Sequence, residues 1–212
     1  MCDIVVIGGG GHATTVITAI RKGDKYRIKG YLDPADRGEL LGVPYLGDDS
    51  SFLALKGEEE DNRVALGLGI LNVEHARVRH ELMQRFRRHG WTFPAIRSPD
   101  CIVNEEVAIG PGSLLADGVI VNSRVKIGEG VIVNTGASID HDCEVGDQVH
   151  IAPGATISGG VRIEDRVIVG AGATVIEEIC VAAGTHIGAG AVVVRNIELA
   201  GLYVGNPARR IR

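Results

Sequence analysis

Several classes of protein are disfavoured by what this sequence lacks. It has no basic excess: 22 Lys and Arg stand against 27 Asp and Glu, a net charge of −5, which argues against a general nucleic-acid-binding protein. No apolar run reaches the ~18–20 residues of a membrane span, so we expect no membrane partner. The N-terminus MCDIVVIGGGGH has neither a basic segment nor a small-residue cleavage site, and we expect no signal peptide.

Cysteine pairs are also missing. The four cysteines, Cys2, Cys101, Cys143 and Cys180, are scattered and form no CxxC motif. This distribution disfavours a zinc site and a disulfide framework, and it favours the reducing cytoplasm as the location. We therefore expect no bound metal.

Aromatic residues make up only 4% of the chain, whereas the 30 glycines are about twice the usual ~7% share. Few aromatics, many glycines and many Val and Ile are typical of a core that is built from small repeated layers. Internal repeats are therefore the first feature to look for.

A six-residue repeat occupies the second half of the chain. Sixteen successive positions, each six residues after the last, are aliphatic without a phase slip: Val103, Ile109, Leu115, Val121, Ile127, Val133, Ile139, Val145, Ile151, Ile157, Ile163, Val169, Val175, Val181, Ile187 and Val193. Six is not a multiple of the 3.6-residue helical period, so this pattern does not describe a helix.

The rest of each hexad indicates a short strand followed by a tight turn. Gly is common three residues after the aliphatic, and a small or β-branched residue commonly follows one position later. Glycine supplies the unusual backbone angles that a tight turn needs. Stacked units of this kind form a parallel β-solenoid. A β-sandwich is disfavoured because its turns come irregularly, about every 8–12 residues.

The first hundred residues have a different pattern. A buried strand at Asp3–Ile7, the loop Gly8–His12 and a helix at Ala13–Arg21 give the geometry that places a phosphate at a helix N-terminus. A second strand, Arg27–Leu32, ends at Asp33. An acidic residue at this distance from the loop suits a ribose or base contact, although it could equally begin a turn.

A third strand at Arg63–Leu66, a helix at Val73–His89 and a fourth strand at Trp91–Ile96 complete this part. The pattern predicts an α/β, Rossmann-like domain over residues 1–97 and a solenoid domain over residues 98–212. The first domain is too small for a full dinucleotide-binding fold. A nucleotide-linked sugar suits it better than NAD.

The hexads, the GGGGH loop and the ending GLYVGNPARRIR resemble the hexapeptide-repeat sugar acyltransferases. This group includes UDP-N-acetylbacillosamine-type and perosamine N-acetyltransferases and sialic acid O-acetyltransferases. The resemblance implies a left-handed parallel β-helix with 18 residues per coil, so that residues 103–198 form just over five coils. It also implies a homotrimer with active sites between neighbouring helices. The implied reaction is acetyl transfer from acetyl-CoA to the 4-amino group of a nucleotide-linked amino-deoxy sugar, without a covalent enzyme intermediate.

His141 is the candidate catalytic residue. It lies with Asp142 at the turn of one hexad, where most equivalent turns hold residues such as Pro-Gly or Glu-Gly. On the residues alone, a solvated surface histidine is an equal alternative. The resemblance implies that His141 is the general base, that Asp142 raises its basicity and that Asn134 lies near it.

The resemblance also implies the binding residues. Gly159 would stack beside His141 on the next coil and offer its backbone to the thioester, although a turn also needs glycine. The implied acetyl-CoA contacts are His150, Gly159, Ala171 and Ala189. The implied nucleotide-sugar contacts are Gly10, Gly11, His12, Asp33, Pro34 and Gly67. His12 could instead be a core or helix-capping histidine.

Three other functions are alternatives to this reaction. Acetylation of a sugar hydroxyl would use the same residues. A zinc-dependent carbonic anhydrase would need three converging histidines, but His141 and His186 are 45 residues apart, which is not a multiple of the 18-residue coil. A non-catalytic nucleotide-sugar-binding protein would not need the His141–Asp142 pair.

Overall fold

A computed structural model describes residues 1–54 and 62–211. The N-terminal region is an α/β unit of three strands and three helices. In chain order these are β1 (Cys2–Ile7), α1 (Gly11–Lys22), β2 (Tyr26–Leu32), α2 (Asp49–Ala54), β3 (Val64–Leu66) and α3 (Val73–Arg88).

The three strands form a parallel sheet in the order β2-β1-β3. Residues 4–7 of the central strand β1 are a continuous, buried apolar run, because helices cover both faces of such a sheet. Helix α1 turns Val16, Ile17 and Ile20 toward the core. Helix α3 begins at Asn72, whose side chain accepts a hydrogen bond from the backbone N–H of His75. The predicted Rossmann-like pattern is confirmed.

The solenoid has three parallel sheets of short strands. The first sheet contains β4 (Ile96–Arg97), β7 (Leu114–Leu115), β10 (Ile132–Val133), β13 (His150–Ile151), β16 (Ile168–Val169), β19 (His186–Ile187), β21 (Leu202–Val204) and the antiparallel β22 (Arg209–Arg210). The second contains β5 (Ile102–Val103), β8 (Ile120–Val121), β11 (Ser138–Ile139), β14 (Thr156–Ile157), β17 (Thr174–Val175) and β20 (Val192–Val193). The third contains β6 (Ala108–Ile109), β9 (Lys126–Ile127), β12 (Glu144–Val145), β15 (Arg162–Ile163) and β18 (Cys180–Val181).

From β4 to β20, neighbouring strands of each sheet pair with an 18-residue offset, as Ile132 does with His150. The predicted coil length is therefore correct. The aliphatic residue of each hexad points inward. The three of one coil, Val133, Ile139 and Val145, are all buried in one continuous core.

Every turn from the one after β5 to the one before β20 places one residue in the left-handed region of backbone space. These residues recur every six positions and fall into three rows along the three edges of the prism. The row between the first and second sheets, here called the glycine edge, is Gly118, Gly136, Gly154, Gly172 and Gly190. The row between the second and third sheets, here called the charged edge, is Glu106, Arg124, Asp142, Gly160 and Glu178. The third row is Gly112, Gly130, Gln148, Arg166 and Gly184.

The α/β unit packs against the outer face of the first sheet. Leu114, Ile132 and Ile168 project from that sheet into a cluster with α1 residues such as Val16 and Ile20. Burial of these side chains holds the two parts together.

Two predictions about the junction are wrong. The strand predicted at Trp91–Ile96 is Ile96–Arg97, and it pairs with Leu114–Leu115 of the solenoid. The solenoid consequently has about six coils rather than just over five. The first coil escaped detection because the exposed Arg97 occupies the aliphatic phase of the hexad.

Candidate active site

The charged edge carries His141 on an exposed turn. Its Nδ1 lies 2.7 Å from Oδ2 of Asp142, and its side chain is 58% exposed. A carboxylate acceptor at this distance fixes the proton on Nδ1 and leaves Nε2 with a free lone pair. The ring is therefore arranged to accept a proton from a bound molecule.

Asp142 is itself held by Arg124, which lies one coil below. Arg124 donates from Nε to Oδ1 at 2.7 Å and from Nη2 to Oδ2 at 2.8 Å. These bonds, with the one from His141, hold the pKa of the Asp142 carboxyl far below its ordinary value. Asp142 therefore stays ionised at every working pH and can stabilise a proton on His141.

Gly159 stacks directly above His141, as the 18-residue coil predicts. A Cβ at Gly159 would lie 2.8 Å from Cε1 and 2.9 Å from Nε2 of His141, so any side chain there would displace the ring. Within the described part of the chain, nothing accepts a hydrogen bond from the Gly159 N–H. Gly159 thus places an unpaired backbone donor in the turn that stacks against His141.

Asn134 and His150 lie elsewhere. Asn134 is in the turn between β10 and β11, on the glycine edge, whereas His141 is in the next turn. Asn134 Nδ2 lies 3.4 Å from His150 Nε2, and His150 Nδ1 lies 2.6 Å from the carbonyl oxygen of Ile70. One chain therefore does not bring Asn134 to His141.

Ala171 and Ala189 also belong to the glycine edge. Both are exposed, and each directly precedes a glycine of that row, Gly172 or Gly190. The predicted cofactor residues thus divide between two edges of the prism. Gly159 lies beside His141, and the two alanines lie with Asn134.

The N-terminal region contains a cavity of about 520 Å³ at the carboxyl ends of its strands. All its described lining residues lie between 7 and 82. Gly67 lies beside the glycine loop, because its backbone N–H donates to the carbonyl oxygen of Ile7 at 2.7 Å. All six predicted sugar-nucleotide residues line the cavity: Gly10, Gly11, His12, Asp33, Pro34 and Gly67. The cavity therefore brings together every predicted residue of this group.

Asp33 is buried in the cavity wall and makes internal hydrogen bonds. Its carboxylate accepts from the backbone N–H of Gly9 at 2.8 Å, from that of Ala35 at 3.1 Å and from Arg37 Nε at 3.1 Å. Burial raises its pKa, but these three donors outweigh burial, and the net pKa is lowered. Asp33 thus forms a turn, as the alternative interpretation held, and also anchors the glycine loop.

His12 lies between the cavity and the solenoid. Burial, together with the nearby Arg79 and His150, lowers its pKa to about 3, so the ring is neutral. Arg79 is itself buried, and it donates to the carbonyl oxygens of Leu68 and, at 3.0 Å, Gly130. The cavity-lining His12 is thus close to His150, and His150 in turn lies beside Asn134 on the glycine edge.

Sequence reasoning missed several residues. Leu71, Val78 and Leu82 also line the cavity and are apolar. Val78 and Leu82 are one helical turn apart in α3, but their place in the cavity wall depends on tertiary packing. Arg124 was detectable, because it precedes Asp142 by one 18-residue coil.

Arg209 and Arg210, the described residues of the basic C-terminus, are exposed, and Arg212 lies outside the described residues. No helix within residues 1–54 and 62–211 combines the length and apolar character required to cross a membrane. In the same residues, no group of three or more His, Cys, Asp or Glu side chains could hold a metal ion.

Comparison with known proteins covers the whole chain. The family model for the PglD N-terminal domain matches residues 3–86, and the model for the bacterial transferase hexapeptide matches residues 124–159. No curated protein sequence matches the chain.

Solved structures match in both parts. The acetyltransferase domain of PglB from Neisseria gonorrhoeae FA1090, in complex with acetyl coenzyme A, is 32% identical with a TM-score of 0.91, covering 99% of this chain and 98% of that one. A mutant GDP-perosamine N-acetyl transferase from Caulobacter crescentus, in complex with CoA and GDP-perosamine, is 34% identical with a TM-score of 0.91, covering 100% and 98%. WeeI from Acinetobacter baumannii AYE is 28% identical with a TM-score of 0.86, covering both chains fully.

These matches confirm the expected fold, an α/β region followed by a left-handed parallel β-helix, and they place the hexads and the N-terminal cavity in one architecture. The chain belongs to the hexapeptide-repeat sugar acyltransferases and is an acyltransferase.

Proposed function

We propose that this enzyme transfers the acetyl group of acetyl-CoA to the 4-amino group of a nucleotide-linked amino-deoxy sugar. The observation that carries the proposal is the His141–Asp142 pair, which leaves Nε2 free and stacks against the glycine turn at Gly159. Relatives that bind acetyl coenzyme A, or CoA with GDP-perosamine, support the choice of both substrates.

The reaction is a direct transfer. The sugar amine attacks the thioester carbon while Nε2 of His141 takes the proton that the amine loses. The carbonyl oxygen becomes an oxyanion, and the Gly159 N–H stabilises it. The C–S bond then breaks, the imidazolium returns the proton to the departing sulfur, and the products are CoA thiol and an amide. Asp142 stabilises the imidazolium between these steps.

The acceptor binds through its nucleotide in the N-terminal cavity. Gly10 and Gly11 lie at the N-terminus of α1, where backbone N–H groups favour a diphosphate. His12 is neutral and has a buried Nε2 without a hydrogen-bond partner among the described residues, so it can bond to the ligand. Asp33, Pro34 and Gly67 shape the remaining wall.

The complete site contains two copies of the chain. The cavity residue His12 is near His150, and His150 lies beside Asn134 on the glycine edge. The base His141 is instead on the charged edge. A homotrimer can set the charged edge of one copy against the glycine edge of the next. Ala171 and Ala189 then offer a side-chain-poor strip for the pantetheine arm, and Asn134 and His150 lie at its end.

The cytoplasm is the proposed location. Cys2, Cys101, Cys143 and Cys180 are all free thiols, which suits a reducing compartment.

The experiment is a substrate panel that follows release of free thiol from acetyl-CoA. UDP-, GDP- and dTDP-linked 4-amino-4,6-dideoxy sugars are tested with the wild type and the His141→Ala variant. We expect turnover with one amino sugar and none in the variant. Turnover only on a hydroxyl acceptor such as sialic acid would replace the proposal with O-acetylation. Nucleotide-sugar binding without any turnover would identify a binding protein.

A further inference from the structure

The charged edge differs from the other two edges in what occupies its left-handed positions. Four of its five positions hold a charged residue instead of glycine, and Glu106, Arg124 and Asp142 occupy three consecutive coils. L-residues adopt this conformation at an energetic cost that glycine avoids. The side chains at these positions therefore have a reason to be there beyond forming the turn.

We propose that Arg124 is a positioning residue for the transfer reaction, acting on His141 through Asp142. This inference rests on the proposed function of His141 as the base.

The geometry supports a positioning role first. Arg124 binds both oxygens of Asp142, at 2.7 and 2.8 Å, so the carboxylate cannot rotate about its bond to Cβ without losing one of them. Oδ2 of Asp142 is shared between Arg124 Nη2 and His141 Nδ1. The Arg124 guanidinium therefore holds Oδ2 of Asp142 in place, and this oxygen in turn orients the His141 imidazole.

A second contact from the coil below holds the other neighbour of His141. Asn122 Nδ2 donates to Oδ1 of Asp140 at 2.8 Å, and the same oxygen accepts the backbone N–H of His141 at 2.8 Å. Asn104 supports Asn122 in turn at 2.7 Å. Both residues that flank His141 are thus anchored one coil away, on the side opposite Gly159.

The charges support the same assignment. The Arg124 guanidinium offsets the negative charge of Asp142, the carboxylate that contacts the His141 ring. The other charged or titratable groups that face this site are on the same coil or one or two coils away: Glu106, Asp140, Cys143 and Glu178. Arg124 is the one cation among these groups.

The test uses Arg124→Gly, because glycine occupies the equivalent position in nine of the fifteen turns and suits the backbone. Arg166→Gly is the matched control, since it removes the same residue type from the same backbone conformation on the third edge. Arg124→Lys keeps the charge without the two-pronged geometry.

We expect Arg124→Gly to lower kcat about tenfold, the scale seen when the outer partner of a functional side chain is removed, with little change in KM for either substrate. The acid limb of its kcat/KM profile should move to higher pH. Arg124→Lys should restore the position of that limb and only part of kcat. Arg166→Gly should match the wild type. Wild-type kcat and an unmoved acid limb in Arg124→Gly would overturn the proposal, as would equal losses in both glycine variants.

Nitrogen-15 NMR of the His141 ring gives a readout without turnover. The wild type should hold the proton on Nδ1, and Arg124→Gly should show a mixture of the two tautomers. An unchanged tautomer in Arg124→Gly would overturn the positioning role. If the proposed function itself is wrong, the wild type will show no turnover, or the His141→Ala variant will show full turnover.

Discussion

The glycine edge and the charged edge run along the same solenoid and use the same turn, yet they present opposite surfaces. All five left-handed positions on the glycine edge are glycine, and four of five on the charged edge bear a charged side chain. At Gly136, Gly154, Gly172 and Gly190 a Cβ would meet no atom within 4 Å. Contacts within one chain therefore do not explain why these positions lack side chains.

We propose that the two edges have different roles. The charged edge holds His141, Asp142 and Arg124 in a hydrogen-bonded row, and we assign the chemistry to it. The glycine edge offers a side-chain-poor strip, and Asn134 on this edge lies beside His150, which is near the cavity residue His12. We assign binding to this edge, and on this proposal a complete site requires both edges.

The largest expected effect comes from removing the base. His141→Asn should lower kcat about 1000-fold, because a positioned general base contributes on that order. Binding of acetyl-CoA and of the nucleotide sugar, measured by calorimetry, should stay near wild type. His80→Asn, on the exposed face of α3, is the control and should keep full activity. Loss of binding together with turnover in His141→Asn would break the division between the edges.

Filling the glycine edge should act on binding instead. Ala171→Trp should raise the KM for acetyl-CoA about 100-fold, a loss of roughly 2.7 kcal/mol, because the indole would occupy the strip where we place pantetheine. Affinity for the nucleotide sugar should not change. Ala183→Trp makes the same substitution before Gly184 on the third edge and should leave KM unaltered. Equal effects of the two tryptophans would show that the glycine edge has no special role.

A smaller effect concerns the neutral histidine between cavity and glycine edge. The folded-state pKa of His12, about 3, lies below its ordinary value of 6.5, so only the unfolded chain binds this proton between those limits. The stability contribution is complete above pH 6.5 and is lost as pH falls below it. Between pH 7 and 5 the loss is about 2 kcal/mol.

Urea unfolding at a fixed protein concentration can measure this loss. His12→Asn cannot take up the proton, so its unfolding free energy should fall by about 2 kcal/mol less than that of the wild type over the same pH range. Identical pH dependence in the two proteins would mean that His12 carries a proton in the folded state or is accessible to water.

The extent to which the fold was predictable differs between the two halves. In the solenoid each residue meets the residue 18 positions away, so the coil length implied by the resemblance was enough to predict that Gly159 lies beside His141. The prediction failed where one residue broke the pattern: Arg97 hid the first coil. In the α/β region local patterns predicted α1, α3 and the three strands of the sheet, but neither α2 nor the place of α3 in the wall of the cavity.

The candidate site was only partly predictable for a related reason. The resemblance implied that Asn134 lies near His141, but it did not say which edge of the prism each residue occupies. In the structure the two residues are in successive turns, on different edges. The dual use of Asp33, which anchors the glycine loop as well as lining the cavity, depends on contacts with Gly9 and Arg37 that no spacing rule contains.

A mixture of two variants with complementary defects shows whether two copies share one site. His141→Asn lacks the base but has an intact glycine edge, and Ala171→Trp has the base but a blocked strip, so each should be nearly inactive at an acetyl-CoA concentration well below the raised KM. In mixed oligomers, formed by co-expression with two affinity tags and verified by native mass spectrometry, an Ala171→Trp copy can place its His141 against the open glycine edge of a His141→Asn copy. We expect acetyl transfer to return in the mixture at this concentration. Mixed oligomers that stay as inactive as either parent would show that one copy does not complete the site of another.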